Sequence, residues 1–188
     1  MGLKRIAKFT GLALVLIIIV AFAGMSLVMY DVMSYTATSS ETLNPAGNVT
    51  GNALVVYDPG FTGNAKNAAS VVASDLQAKG YKVNLAGIKS TNAVNNPEYD
   101  IIVVSGPVYA GKVSSSAQSY LDTLKTSKNT KIGVFTSGGV NDINDTALIQ
   151  KEITLPAGST IKIEDIKKVV NGKDLDNTAA KFVEALIN

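Results

Sequence analysis

Three glycine-rich segments are the residues of this sequence best suited to chemistry. They cover residues 58–64, 106–112 and 137–140, and each follows a short apolar run. Glycine lets backbone N–H groups approach an anion, and a helix that begins at such a segment adds the partial positive charge of its N-terminus. The pattern predicts a binding site for a phosphate-bearing ligand. Backbone groups suffice for this, and we assign no catalytic side chain.

The sequence contains no Cys and no His, and this excludes several kinds of site. Thiolate nucleophiles, a Ser-His-Asp triad, cysteine-ligated clusters and the usual zinc sites all need those side chains. We therefore expect no metal site. The positive charges of Lys4, Arg5 and Lys8 precede every acidic residue, and the remainder of the chain is close to neutral. Without a clustered basic face, no nucleic-acid partner is predicted.

The elements that must position the glycine-rich segments alternate along the chain after residue 52. Short apolar runs predict strands at residues 53–57, 81–85, 101–104, 131–136 and 160–163. Helical spacing of apolar residues predicts helices at residues 64–79, 117–124 and 175–187, with a short helix at 145–152. Uniformly apolar strands that alternate with helices indicate a parallel sheet covered on both faces. Five strands fit a doubly wound α/β fold of order 2-1-3-4-5.

In such a sheet, ligands bind beyond the carboxyl ends of the strands, at the point where successive connections leave toward opposite faces. For this order that point lies between the first and third strands. All three glycine-rich segments follow carboxyl ends at this edge, so we expect them to form one site.

These segments resemble those of the flavodoxin family. The stretch Y-D-P-G-F-T-G-N-A-K-N-A-A, with Thr62-Gly63-Asn64 at its centre, is similar to the family's phosphate-binding turn. The stretch Y-D-I-I-V-V-S-G-P-V-Y-A-G is similar to the second flavin loop, and V-F-T-S-G-G is similar to the third. The resemblance covers residues 53–188 and implies a flavodoxin-like fold that binds FMN. The cofactor-binding residues that it implies are Gly60, Phe61, Thr62, Gly63, Asn64, Ala65, Pro107, Val108, Tyr109, Ala110, Gly111, Ser137, Gly138 and Gly139.

Two functions are compatible with this resemblance. The first is FMN-dependent electron transfer or quinone-linked redox chemistry, with a redox protein or a quinone as partner and Tyr109 as the candidate ring contact. The second is a non-catalytic binding or scaffold domain that has lost FMN. The second is favoured by Pro59 and Ala65, which stand where the family places hydroxyls, and by Asp58, which would repel a phosphate if it pointed inward.

The N-terminal segment predicts a membrane anchor. Residues 9–30 carry no charge, and as a helix they would span about 33 Å, enough for a hydrocarbon core of about 30 Å. The basic residues 1–8 predict a cytoplasmic N-terminus, which places the domain outside the cell membrane. The alternative is a secreted protein released by signal cleavage after Ala21-Phe22-Ala23. Residues 31–52 read as a flexible linker to the domain at 53–188.

Overall fold

The computed structural model describes residues 3–34, 37–94, 98–126, 129–139, 153–155, 159, 161–170 and 172–188. Its helices are α1 (Leu3–Ser34), α2 (Asn64–Ala78), α3 (Thr91–Val94), α4 (Ser115–Thr123) and α5 (Leu175–Ile187). Its strands are β1 (Ser40–Leu43), β2 (Gly51–Tyr57), β3 (Tyr81–Gly87), β4 (Ile101–Tyr109), β5 (Lys112–Val113), β6 (Lys131–Gly138) and β7 (Ile163–Val170).

The apolar N-terminal segment forms a single helix that is longer than residues 9–30. The stretch Lys8–Asp31 is long and apolar enough to cross a membrane, with a mean hydropathy of 2.9. The side chains from Lys8 to Tyr30 are all exposed, so this stretch is not a core helix of the domain. An apolar helix in this position fits a membrane span or a signal sequence.

Five parallel strands form the centre of one sheet, in the order β3-β2-β4-β6-β7. This is the predicted order 2-1-3-4-5, which is confirmed. Two antiparallel additions were not predicted: β1 pairs with β3 at one edge, and the short β5 folds back on β4.

The sheet is apolar on both faces, as the strand β2 illustrates. Its residues Ala53, Val55 and Tyr57 belong to a core shared with α2 and α5, whereas Leu54 and Val56 belong to a second core shared with α3 and α4. All five side chains are buried. The helix after β2 therefore covers one face and the helix after β4 covers the other, which places the topological switch point between β2 and β4.

Part of residues 31–52, the segment predicted as a flexible linker, pairs with the sheet. Ser40 lies opposite Ala86 at the start of β1. Upstream of β1, the N–H of Gly87 donates to the Ser39 carbonyl and the N–H of Lys89 donates to the Ala37 carbonyl, both at 2.7 Å. The polar sequence of β1 shows no strand pattern because its side chains are mostly exposed and its pairing uses main-chain groups.

The last strand was also predicted incorrectly, since β7 covers Ile163–Val170 rather than residues 160–163. As an outer strand of the sheet it carries exposed or half-buried Glu164, Asp165 and Lys167, which interrupt the apolar run expected of a parallel strand. The short helix predicted at residues 145–152 lies outside the described residues.

Candidate functional site

The segment after β2 turns sharply into α2, and Gly63 makes the turn possible. Gly63 caps the N-terminus of α2 with φ 75°, a conformation that side-chain-bearing residues rarely adopt. No atom lies within 4 Å of the position that a Cβ on Gly63 would occupy, so the space above this turn is open. The residue is therefore needed for the backbone conformation rather than for close packing.

Several backbone donors of this turn lack a well-formed hydrogen bond. Among the described residues, no acceptor lies in good hydrogen-bond geometry with the N–H groups of Thr62, Gly63 and Ala65. The N–H of Asn64 has only the Thr62 hydroxyl, at a long 3.4 Å. Successive free N–H groups at the start of a helix form an anion-binding arrangement, and the 15-residue helix α2 adds its partial positive charge. Thr62, Gly63, Asn64 and Ala65 therefore lie together at the start of α2.

Asp58 points inward and ties this turn to the start of α4. One carboxylate oxygen accepts the N–H of Gly60 at 3.1 Å, and the other accepts the Ser114 hydroxyl at 2.6 Å. Ser114 is also the N-cap of α4, where its side chain accepts the N–H of Ala117. Burial raises the pKa of Asp58, and these two hydrogen bonds oppose the rise. When ionised, the Asp58 carboxylate places a negative charge directly below the turn.

The second predicted flavin loop is mostly strand, which corrects its description as a loop. Pro107, Val108 and Tyr109 are the last residues of β4. The Pro107 ring lies against Gly60, where a Cβ would meet it at 2.8 Å. The Tyr109 hydroxyl accepts the N–H of Phe61 at 2.9 Å. Pro107 and Tyr109 therefore support the first half of the β2–α2 turn.

The true turn of this second segment is the two-residue connection between β4 and β5. Tyr109 pairs with Lys112 across it. Ala110 and Gly111 both have positive φ, at 49° and 74°, as in the type I′ turns that close tight hairpins. Both residues are exposed beyond the end of the sheet. An alanine in this conformation is strained, a feature that clusters at functional sites.

The third predicted segment begins inside β6, since Ser137 and Gly138 are its last residues. Ser137 pairs with Pro107, and Gly138 pairs with Val108, so the second and third segments are adjacent. Gly139 is exposed just after the strand, and residue 140 onward lies outside the described residues until residue 153. The structure thus brings all three segments to one edge of the sheet.

Asp31, at the end of α1, lies close to the same edge, and sequence reasoning did not foresee it. The residue is buried, and its carboxylate lies close to the Tyr109 hydroxyl. Burial is the main cause of the raised pKa of Tyr109, and the Asp31 carboxylate is the next. Asp31 also contributes to the raised pKa of Asp58. In the sequence, Asp31 is the first charged residue after the apolar run, and its position indicated only where the membrane span ends.

Lys168 is a second buried charged residue that the sequence did not reveal. It lies on β7 opposite Thr136, and its side chain passes beside Gly138, where a Cβ would meet its Cε at 2.9 Å. A lysine inside a weakly patterned strand looks solvated, so no sequence signal marked it.

The residues of this edge fit FMN on the phosphate side. The open space over Gly63 and the free N–H groups that surround it would hold the phosphate, with Thr62 as a hydroxyl donor. The half-buried Tyr109 and the exposed turn at Ala110 and Gly111 would border the flavin ring. An ionised Asp58 would repel a bound phosphate. Its carboxylate accepts from Gly60 and Ser114, so it does not occupy the N–H groups of residues 62–65.

Solved structures show what this architecture is similar to. A short-chain flavodoxin associated with a bacterial microcompartment is 24% identical, with a TM-score of 0.52 over 72% of this chain and 96% of that chain. Flavodoxin 2 from Bacillus cereus is 19% identical, with a TM-score of 0.53 over 72% and 97%. The flavodoxin of Streptococcus pneumoniae is 21% identical, with a TM-score of 0.50 over 72% and 97%.

No protein-family model matches the sequence, and no curated protein matches it by sequence. The structural likeness covers nearly the whole chain of each of these flavodoxins, and it agrees with the strand order and with the switch point between β2 and β4. The part of the chain that follows the N-terminal helix therefore has the flavodoxin-like fold.

Proposed function

We propose that this protein is a membrane-anchored FMN-binding electron carrier. One observation carries the proposal: free N–H groups surround an open left-handed glycine at the N-terminus of α2, at the switch point of the sheet. This is where doubly wound folds bind phosphate-bearing ligands. The flavodoxins that share the fold support FMN as the ligand.

Bound FMN would supply one- and two-electron redox chemistry, and the chain would supply binding and surroundings. The N–H groups of Thr62, Gly63 and Ala65 would hold the phosphate. Tyr109 would fix the turn through the N–H of Phe61 while its ring borders the flavin. Because no side chain has to act as an acid, base or nucleophile, this function suits a chain without His or Cys.

The anchor in this proposal is α1, with its N-terminus in the cytoplasm and the domain outside. Exposure of the whole apolar stretch supports a helix surrounded by lipid rather than by protein. The basic residues Lys4, Arg5 and Lys8 support the orientation. A retained anchor would keep the domain near membrane-bound electron partners, either a quinone or a redox protein.

A scaffold domain without FMN is the second candidate, and two residues favour it. Ala65 has no hydroxyl, and its side chain is buried, so only the backbone N–H is available at that position for a phosphate. Asp58 is buried beneath the turn and is negative when ionised.

The experiment that separates the two candidates uses the full chain purified in detergent and incubated with FMN. After removal of free FMN, the carrier should retain about one FMN per chain, with the visible spectrum of a protein-bound flavin, and it should pass electrons to a soluble quinone analogue after chemical reduction. A colourless protein that retains no FMN would support the scaffold.

A further inference from the structure

The membrane helix and the sheet are joined by a very short connection. α1 ends at Ser34, and the carbonyl of Ala37 already accepts the N–H of Lys89. Only residues 35 and 36 lie between. Because an extended chain advances at most about 3.6 Å per residue, the end of α1 is within about 11 Å of Ala37. Lys89 follows the carboxyl end of β3, so the helix ends beside the edge of the sheet that carries the candidate site.

The end of α1 also packs against that edge. Asp31 is buried and lies near enough to Tyr109 and Asp58 to affect the pKa of both. The apolar residues before it remain exposed. The helix therefore meets the domain at its C-terminal end, and its apolar length is left free for lipid.

The side chains exposed at this edge suit a lipid surface. Phe61 protrudes from the β2–α2 turn with 56% of its surface exposed. Within the loops that follow β2, β3 and β4 and the first turn of α2, the exposed charged residues are all basic: Lys66, Lys89 and Lys112. An exposed aromatic ring among lysines fits the interface of a bilayer that contains anionic lipids. At the opposite edge, Val49 is exposed to the same 56%.

We propose that the edge of the sheet formed by the β2–α2 turn, the start of the β3–α3 loop and the β4–β5 turn docks on the surface of the bilayer that α1 spans. Phe61 enters the interfacial layer, and the lysines contact anionic headgroups. The inference rests on the proposed membrane anchor, and it does not require bound FMN. It implies that the candidate site is approached along the membrane, by a partner that lies in or on it.

The chain lacks cysteine, so single reporters can be placed cleanly. Full chains with Phe61→Cys or Val49→Cys would be labelled with an environment-sensitive fluorophore and reconstituted in phosphatidylcholine–phosphatidylglycerol vesicles. The quencher is a nitroxide carried on the lipid headgroup. Flotation of the vesicles reports anchoring separately from docking. We expect the label at position 61 to lose most of its fluorescence and the label at position 49 to keep it.

Equal quenching at both positions, or no quenching at position 61 in chains that float with the vesicles, would overturn docking while the anchor stands. Chains that fail to float would overturn the anchor and the docking together. In a second measurement, Lys89 and Lys112 are both replaced with Glu in the chain labelled at position 61. The quenching at position 61 should then fall on the anionic vesicles, whereas unchanged quenching would contradict the role given to these lysines.

Discussion

The two ends of the parallel sheet differ in whether protein atoms fill the space beside their glycines and whether their polar groups are hydrogen-bonded within the protein. At the amino end, the N–H of Asn52 donates to the Asp100 carboxylate at 2.8 Å, and the N–H of Lys131 donates to the Asp100 carbonyl at 2.9 Å. Gly80 has φ 95°, and the Thr50 side chain already fills the space beside it, at 2.9 Å from the position that a Cβ would occupy. That end is completed by the protein alone.

The carboxyl end has open space and backbone N–H groups without acceptors among the described residues. Gly63 has a similar backbone conformation, yet nothing occupies the space beside it, and the N–H groups around it lack acceptors among the described residues. Asp58 and Asp31, both buried, lie at the same end of the sheet. Two glycines with positive φ therefore have different surroundings: Gly80 allows close packing, whereas Gly63 has open space beside it.

The largest expected effect is on stability at the amino end. Gly80→Ala would add a Cβ that collides with Thr50 and would strain a residue at φ 95°. We expect a loss of about 2–4 kcal/mol in the free energy of unfolding, from strain and overpacking together. Urea denaturation of the full chain in detergent would measure it. FMN affinity of the folded fraction should be unchanged, and a selective loss of binding would contradict the contrast between the two ends.

At the carboxyl end, Gly63→Ala should lower FMN affinity by at least about tenfold, because the methyl group enters the space where a phosphate would approach the N–H groups. Stability should fall by only about 1–2 kcal/mol, from the positive φ alone. Isothermal titration calorimetry and urea denaturation would give the two values.

Gly172→Ala is the matched control, because Gly172 has φ 70°, has equally open space and follows β7 at the far side of the sheet. It should cost a similar amount of stability and leave FMN affinity intact. Equal losses of affinity in both variants would mean that backbone strain, rather than blocked access, weakens binding.

A smaller effect is expected from Asp58→Asn, which removes the charge beneath the turn. The amide can still accept the N–H of Gly60 and donate to the Ser114 oxygen, so stability should change by less than about 1 kcal/mol. FMN affinity should rise about three- to tenfold at neutral pH because the repulsion is gone. Titration of both proteins with FMN across pH would check this, and the gain should shrink as Asp58 of the wild type becomes protonated.

The same variant tests the sign of the pH dependence of folding. The pKa of Asp58 is raised in the folded state, so its contribution to stability is fully present below the unfolded pKa and is lost as pH rises through the folded pKa. Relative to Asp58→Asn, the wild type should therefore become less stable as pH rises through the raised pKa of Asp58. A difference that is constant with pH would contradict this reasoning.

The smallest effect is expected from Tyr109→Phe. The Phe61 N–H would lose its acceptor, but this hydrogen bond is exposed and water can replace the hydroxyl, so the loss of stability should be below about 1 kcal/mol. The ring beside the candidate flavin position remains, so FMN affinity should change by less than about threefold. A large loss of affinity with unchanged stability would instead assign the hydroxyl a direct role in binding FMN.

The central part of the fold could be predicted because β2, β4 and β6 are buried on both faces, and strands of this kind have nearly continuous apolar sequences. Their connections then fix the switch point. The outer strands β1 and β7 could not be predicted in the same way. Most side chains of β1 are exposed, and Glu164, Asp165 and Lys167 interrupt the apolar residues of β7.

The residues of the candidate site also fall into two groups, those that a local sequence pattern reveals and those that only the fold brings together. The turn at Gly63 depends on local conformation, and its glycine is visible in the sequence. The burial of Asp31 beside Tyr109 depends on how a helix end meets a strand far away in the chain, and no local pattern encodes it. The same is true of Asp58, whose inward direction is set by Ser114 and the start of α4.

Recognition of the FMN phosphate by the turn at Gly63 is the step on which the proposed function depends. It is tested by titrating the full chain in detergent with FMN and with riboflavin, which has the same ring system and lacks the phosphate. Charge-assisted hydrogen bonds are worth about 1.5–3 kcal/mol each, so we expect FMN to bind at least about 100-fold more tightly than riboflavin. Equal affinities for the two compounds, or no binding of either, would contradict phosphate recognition at this turn.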